Sequence, residues 1–368
     1  MTPNAIHVIA FYLPQFHPIP ENDLWWGKGF TEWTNVTQAR PLFRGHYQPQ
    51  LPADLGFYDL RVPEMREAQA ELAREYGIQG FCYFHYWFNG KRLLERPFNE
   101  VLASGKPDFP FCLCWANESW GRGWLGEERD VLMEQTYSHE DDLAHAHWLA
   151  DAFADNRYIR IGGRPLLLVY RPTHLPDVNR TVELWRSVFQ RHRLGNPYLV
   201  GVDARCPGLD CRQLGFDSTL AFTPQLSSLP GWSGDGWKLR RFLHNMRLRI
   251  RNGRTKVYDI TEARRAMSQI PRDFPHVECV FVGWDNTPRR GANGIVMINE
   301  SAEEFGAALR RTLDDLALSA EGDRLLFVNA WNEWAEGNHL EPDQRSGRAY
   351  LQQVKQAVDG CRRNENDS

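Results

Sequence analysis

Eight short apolar runs recur along the chain, and most are parted from the next by a stretch with helical spacing. They are HVIAFYL (7–13), IQGFCYFHYW (78–87), FPFCLCWANES (109–119), RPLLLVYRP (164–172), PYLVGVDA (197–204), FDSTLAFTPQ (216–225), VECVFVGWDNT (277–287) and DRLLFVNAWNEW (323–334). Helix-like stretches cover 62–77, 91–104, 139–155, 181–193, 301–317 and 347–360. The first of these begins near Pro63 and stops at Gly77, as helix punctuation requires. Strands that are apolar almost throughout are those covered on both faces. Eight of them alternating with helices predict an α/β fold, a (β/α)8 TIM barrel. We expect a single catalytic domain over 1–368, with its core at about 7–360, a polar tail at 361–368 and long loop insertions at the C-terminal face. A doubly wound open sheet is the competing arrangement. No G-x-G-x-x-G follows the first strand and no G-x-x-x-x-G-K-[ST] occurs, which counts against it.

A net charge of −4 lacks the basic footprint of a nucleic-acid binder. The stretch KLRRFLHNMRLRIRNGRTK (238–256) is the basic exception. It reads as a solvated helix and loop, with an anionic glycan, a membrane surface or a partner as alternatives. Fourteen tryptophans are unusual for 368 residues, and many stand in polar surroundings. Indole faces there suit amphipathic ligands such as sugars, whose C–H faces stack on rings. The seven cysteines show no framework spacing and read as reduced core or loop residues. No metal site and no organic cofactor is implied. The N-terminus lacks the basic and apolar regions of a signal peptide, and no window reaches about 20 apolar residues. A cytoplasmic protein without a transmembrane segment is expected, with peripheral membrane association left open.

In such a barrel the chemistry collects where the strands end. The first end carries Tyr12, Gln15 and His17; the second Tyr83, His85, Tyr86 and Trp87; the third Trp115, Asn117, Glu118 and Trp120. The sixth carries Thr223 and Gln225; the seventh Trp284, Asp285, Asn286 and Arg289; the eighth Trp331, Asn332, Glu333, Trp334 and Glu336. On the long first loop, WWGKGFTEWTNV (25–36) adds Trp26, Glu32 and Trp33 as a lid or subsite wall, or as a plug for the barrel rim. Stacking faces, amides and carboxylates together describe a sugar pocket. Glycosidic bonds are cleaved by paired carboxyls, one of which must hold a proton near neutral pH. Burial beside indoles and a second carboxylate raises a carboxyl's pKa in that direction. Glu333 and Glu336, three apart between and beyond Trp331 and Trp334, meet the requirement; Glu118 is a third candidate. Asp285 reads either as a site residue or as a turn cap, and His85 either as a site residue or as a buried, satisfied histidine.

Five segments in order, AFYLPQFHPIPENDLWWGKGFTEWTNV, GFCYFHYWF, WANESW, GWDNTPRR and NAWNEWAEG, resemble the WbsX-like group. That group is similar to glycoside hydrolase family 99 and is associated with bacterial surface polysaccharides. The resemblance runs over about 7–355. It implies a (β/α)8 barrel and endo-acting, retaining cleavage of α-mannosides. By position in the motif, Glu333 would take the proton of the sugar's 2-OH and Glu336 would be the acid/base, with a 1,2-anhydro sugar between the two steps. Family 99 has histidine where this chain has Ala335. Rhamnose shares the axial 2-OH of mannose and would suit the same chemistry. A glycosyltransferase or transglycosylase of polysaccharide synthesis, and a non-catalytic glycan-binding protein, are the alternative readings.

Overall fold

The apolar runs form parallel strands, and the computed structural model describes residues 6–122, 130–229, 254–318 and 324–366. The strands are β1 (His7–Tyr12), β2 (Gly80–Phe88), β3 (Phe111–Trp115), β4 (Arg164–Val169), β5 (Tyr198–Val202), β6 (Ser218–Ala221), β7 (Val277–Phe281) and β8 (Leu325–Asn329). Each pairs in parallel with its sequence neighbours, and β1 pairs with both β2 and β8. The sheet therefore closes into the expected eight-stranded barrel. Its interior is filled by side chains of alternate residues: Phe11 meets Phe84 at 5.3 Å, Phe327 at 5.3 Å and Phe222 at 5.7 Å between ring centroids.

Ten α-helices occur among the described residues: α1 (Pro20–Trp26), α2 (Glu32–Gln38), α3 (Pro63–Glu75), α4 (Arg96–Ser104), α5 (His139–Phe153), α6 (Val178–Arg191), α7 (Ile260–Ser268), α8 (Thr287–Arg290), α9 (Ala302–Leu318) and α10 (Ala349–Asn366). Local chemistry sets their starts. Pro63 opens α3, where its missing N–H costs nothing. The Ser138 side chain accepts the Asp141 N–H at the start of α5, and Asp177 accepts that of Arg180 at the start of α6. The stretch 91–104 is not helical throughout: Lys91–Leu93 pairs antiparallel with the end of β2, and α4 begins only at Arg96, with Pro97 in its first turn. The long first loop folds in part into α1 and α2, the second opened by a capping box from Thr31 to Thr34.

In the insertion between β6 and β7, Lys256–Asp259 pairs in parallel with Ile295–Ile298. Together with α7 this pair packs a small second core of Leu229, Ile260, Met267, Trp284 and Met297. Most of the basic stretch, 238–253, lies outside the described residues. No disulfide joins the seven cysteines, and six of them are buried. Among the described residues no helix is long and apolar enough to cross a membrane.

Candidate active site

Side chains alternate across a strand, so only every second residue faces the barrel interior. That alternation divides the residues expected at the second strand end. Tyr86 lines a cavity above the barrel, as does Phe84. Tyr83, His85 and Trp87 point the other way. Tyr83 packs on Phe98 of α4, while His85 stacks on Trp148 and Trp87 on His145, both of α5. The Trp87 indole donates to Asp141 at 2.8 Å. His85 and His145 stand 3.0 Å apart through their Nε2 atoms. Burial holds both well below the ordinary imidazole range, His145 at about 3. Trp115 joins this cluster and donates to the Trp87 carbonyl. None of these four lines the cavity.

Others among the expected residues brace the loops that carry the site. Tyr12 donates to Gln69 of α3. His17 is bonded to the Pro14 carbonyl at 3.0 Å, and burial lowers it to about 4. Asn332 accepts the Leu13 N–H at 2.7 Å and donates to the Leu13 carbonyl and the Tyr58 hydroxyl, which ties the eighth strand end to the first. Asn117 does the same between the third and fourth, accepting from Arg171 N–H and donating to its carbonyl. Trp33 packs on Phe16 and Trp334. Trp334 stacks on His339 and donates to Glu341 at 2.6 Å. Trp331 is fully buried against Phe81. Asp285 braces the turn into α8, accepting the Thr287 N–H at 3.0 Å and its hydroxyl at 2.6 Å. Its other oxygen is held by His46 and Gln48, each at 2.6 Å.

The cavity encloses about 570 Å³ and is lined by Gln15, Trp26, Tyr86, Glu118, Trp120, Trp284, Asn286, Arg289, Glu333 and Glu336 from the expected set. That volume lies within the range of about 300–1,000 Å³ usual for ligand sites. The two glutamates sit on a tight hairpin: Asn332–Glu333 pairs antiparallel with Asn338–His339 around the turn Trp334–Glu336. Gly337 closes the turn at φ 58°, and a Cβ there would lie 3.0 Å from Asp285 Cβ and 2.9 Å from Gln50 Nε2. The close approach lets the Asp285 N–H donate to the Glu336 carbonyl at 2.6 Å. The site is thus hung from the seventh strand end as well as the eighth.

Arg289 organises the floor. Its Nη2 donates to Glu333 at 2.9 Å, its Nη1 to Glu336 at 2.7 Å, and its Nε to Glu32 of α2 at 2.8 Å. Three carboxyls therefore face one guanidinium in a buried setting. Burial raises Glu333 to about 8; Glu336 and Glu32 push it the same way, and Arg289 opposes. Glu336 is also raised, by burial and then by Glu32, again against Arg289. The rise in Glu333 favours its protonated form at neutral pH, burial outweighing the pull of Arg289. Glu336 is the more open of the two, with 23% of its side chain exposed against 9% for Glu333.

Several wall residues were not among those expected. Tyr170 follows β4 and Arg205 follows β5, the two strand ends left without a candidate. Both stand directly after an apolar run, which was the available signal. Asn329, at the end of β8, also lines the cavity and donates to the Thr223 carbonyl. Glu341 was missed as well. It is a buried carboxyl that accepts from Tyr58, Gln69 and Trp334, and burial raises it to about 7.

A family model described as Glycosyltransferase WbsX matches residues 8–354. The protein WxcX of Xanthomonas campestris pv. campestris, in strains B100 and ATCC 33913, is 46% identical over 353 residues. The match takes in 95% of this chain and 49% of WxcX, so the chain spans about half the length of these curated relatives. Among solved structures, the GH99 endo-alpha-mannosidase from Bacteroides thetaiotaomicron superposes with a TM-score of 0.60 at 14% identity, covering 98% of each chain. A structure described as a glycoside hydrolase-like protein superposes at 0.56 with 13% identity, covering 96% of this chain and 94% of its own. The fold is that of the GH99 barrels, and by sequence the chain belongs to the WbsX family.

Proposed function

We propose that the chain is a glycoside hydrolase, endo-acting and retaining, that cleaves α-mannoside- or α-rhamnoside-type linkages in a bacterial surface polysaccharide or its precursor. The observation that carries this reading is the Glu333–Arg289–Glu336 arrangement on the floor of an aromatic-walled cavity. In the proposed reacting form Glu336 carries the proton and Glu333 is ionised. Following the family 99 resemblance, the Glu333 carboxylate takes the 2-OH proton and the 2-oxygen attacks C1. The bond from C1 to the leaving oxygen breaks as Glu336 gives that oxygen its proton. Glu336, now a carboxylate, takes a proton from water; the hydroxide adds at C1 and opens the 1,2-anhydro ring, and Glu333 returns the proton to the 2-oxygen. Two inversions at C1 leave net retention. The axial 2-OH that this path needs is common to mannose and rhamnose. Trp26, Trp120 and Trp284 supply ring faces for the sugar, and Gln15, whose buried Nε2 has no partner among the described residues, supplies a donor.

A second reading is glycosyl transfer, supported by the description of the family itself. In a transglycosylase a sugar hydroxyl replaces the water of the second step on the same carboxyls; a nucleotide-sugar enzyme would need a site for a diphosphate. The test is Glu333→Gln beside Glu336→Gln. Loss of glycan cleavage in both, with unchanged circular dichroism, supports hydrolysis. Saturable binding and turnover of a nucleotide sugar, with no cleavage of any glycan, would favour transfer.

A further inference from the structure

We infer that the cavity is built for a glycan bearing an oxyanion, and that Arg290 faces this negative group. The inference rests on the sugar-site reading above and adds the charge class of the substrate. Among the described residues four cations line the cavity, Arg205, Lys256, Arg289 and Arg290, against three carboxyls, Glu118, Glu333 and Glu336. Arg289 is matched by Glu32, Glu333 and Glu336. Arg205 stands 3.7 Å from Glu118, which Arg171 also approaches at 3.5 Å. Arg290 differs: among the described residues no carboxylate lies within ion-pair distance of it.

Arg290 and Lys256 belong to one wall. The Lys256 N–H donates to the Gly294 carbonyl at 3.0 Å, and Lys256 stands opposite Ile295 in the short parallel ladder. The Asn286 N–H donates to the Ile295 carbonyl, and the Arg290 N–H to that of Asn286 at 3.0 Å. Trp284 lines the same cavity, 6% exposed, and its indole Nε1 has no partner among the described residues. The Arg290 guanidinium and the Trp284 indole offer donors alone. Sugar hydroxyls donate as readily as they accept, so a neutral glycan leaves such a wall poorly matched. A carboxylate or phosphate only accepts, and its bonds to charged donors are the stronger kind. The oxyanion has two chemical sources, the carboxylate of a uronic acid or a phosphate ester on the sugar.

Binding without turnover tests this. The Glu336→Gln protein is titrated at low salt, by tryptophan fluorescence, with α-linked mannotriose, the same trisaccharide oxidised to a carboxylate at one C6, and the same trisaccharide carrying a 6-phosphate. The expected result is that at least one acidic form binds about ten-fold more tightly than the neutral one. Which acidic form is preferred identifies the source. Added salt erodes the preference, Arg290→Gln in the same background removes it, and Arg290→Lys retains part of it. Three ligands that bind indistinguishably, at any affinity, overturn the inference, as does a preference that survives Arg290→Gln. Charge-selective binding by a protein that cleaves nothing would sink the hydrolase reading and leave this inference standing. Cleavage of neutral glycans without charge selection would do the reverse.

Discussion

Replacing Arg289 by methionine removes the cation that touches three buried carboxyls while keeping most of the side chain's bulk. Its guanidinium pulls both Glu333 and Glu336 down, against burial. Without it both rise further above the ordinary carboxyl value. The folded protein then holds protons that the unfolded chain has released. Stability is therefore full in acid, below the unfolded pKa, and is lost as pH rises through the folded pKa. Leaving a buried charge without its partner costs about 3–5 kcal/mol. Unfolding entropy near about 2.1 cal/mol/K per residue converts that cost to a fall of about 4–6 °C in Tm for a chain of 368 residues. The fall should be largest near pH 8, where the orphaned carboxyls resist ionisation, and small near about pH 5. Thermal unfolding followed by near-UV circular dichroism, wild type beside Arg289→Met at both pH values, measures it. A shift of equal size at the two pH values would refute the argument that Arg289 acts by neutralising these carboxyls. So would a loss below about 1 °C at the alkaline one.

Glu333→Gln and Glu336→Gln should each lower glycan turnover by about 10²–10⁴-fold or more, the range that positioned acids and bases contribute; reducing-sugar release under conditions that saturate the parent checks this. Glu32→Gln removes a negative charge that raises both glutamates. Their pKa values fall, so the alkaline limb of the pH–rate profile should move toward acid, and a limb that stays put or moves the other way would contradict the charge coupling. Asn332→Ala deletes the side chain that bonds both backbone groups of Leu13. Stranding those buried partners should cost about 2 kcal/mol or more in urea unfolding, with turnover falling as the hairpin loosens from β1.

The barrel was legible because each strand is buried on both faces, which leaves an apolar run whatever the direction of its side chains. That same burial hid which residues face the site. Phe84 and Tyr86 reach the cavity while Tyr83, His85 and Trp87 pack under helices. The period of two was present in the sequence, but it could not be phased without knowing which set fills the barrel. Glu333 and Glu336 were legible from local context, as carboxyls beside indoles at a strand end. Their environment was not: Arg289 meets Glu32 across 257 positions of sequence, and Asp285 meets His46 across 239. Such partners are set by how loops fold back over the rim. The aromatic and polar residues of the long first loop show no long period, yet Pro20 and the Thr31 cap suffice to start two helices of seven residues. Asn117 and Asn332 looked like sugar ligands because an amide at a strand end serves a ligand or a neighbouring loop equally well.

The central claim is that the buried glutamate pair cleaves a glycosidic bond with water. It is tested most directly by incubating the parent protein, beside Glu336→Gln, with mannose- and rhamnose-containing bacterial polysaccharides in heavy-oxygen water, and analysing the products by mass. The account predicts oligosaccharides from the parent alone, each with one heavy oxygen at its new reducing end. Unlabelled, lengthened glycans formed from a nucleotide sugar, with no fragment released from any polysaccharide, would contradict it and assign this barrel to synthesis.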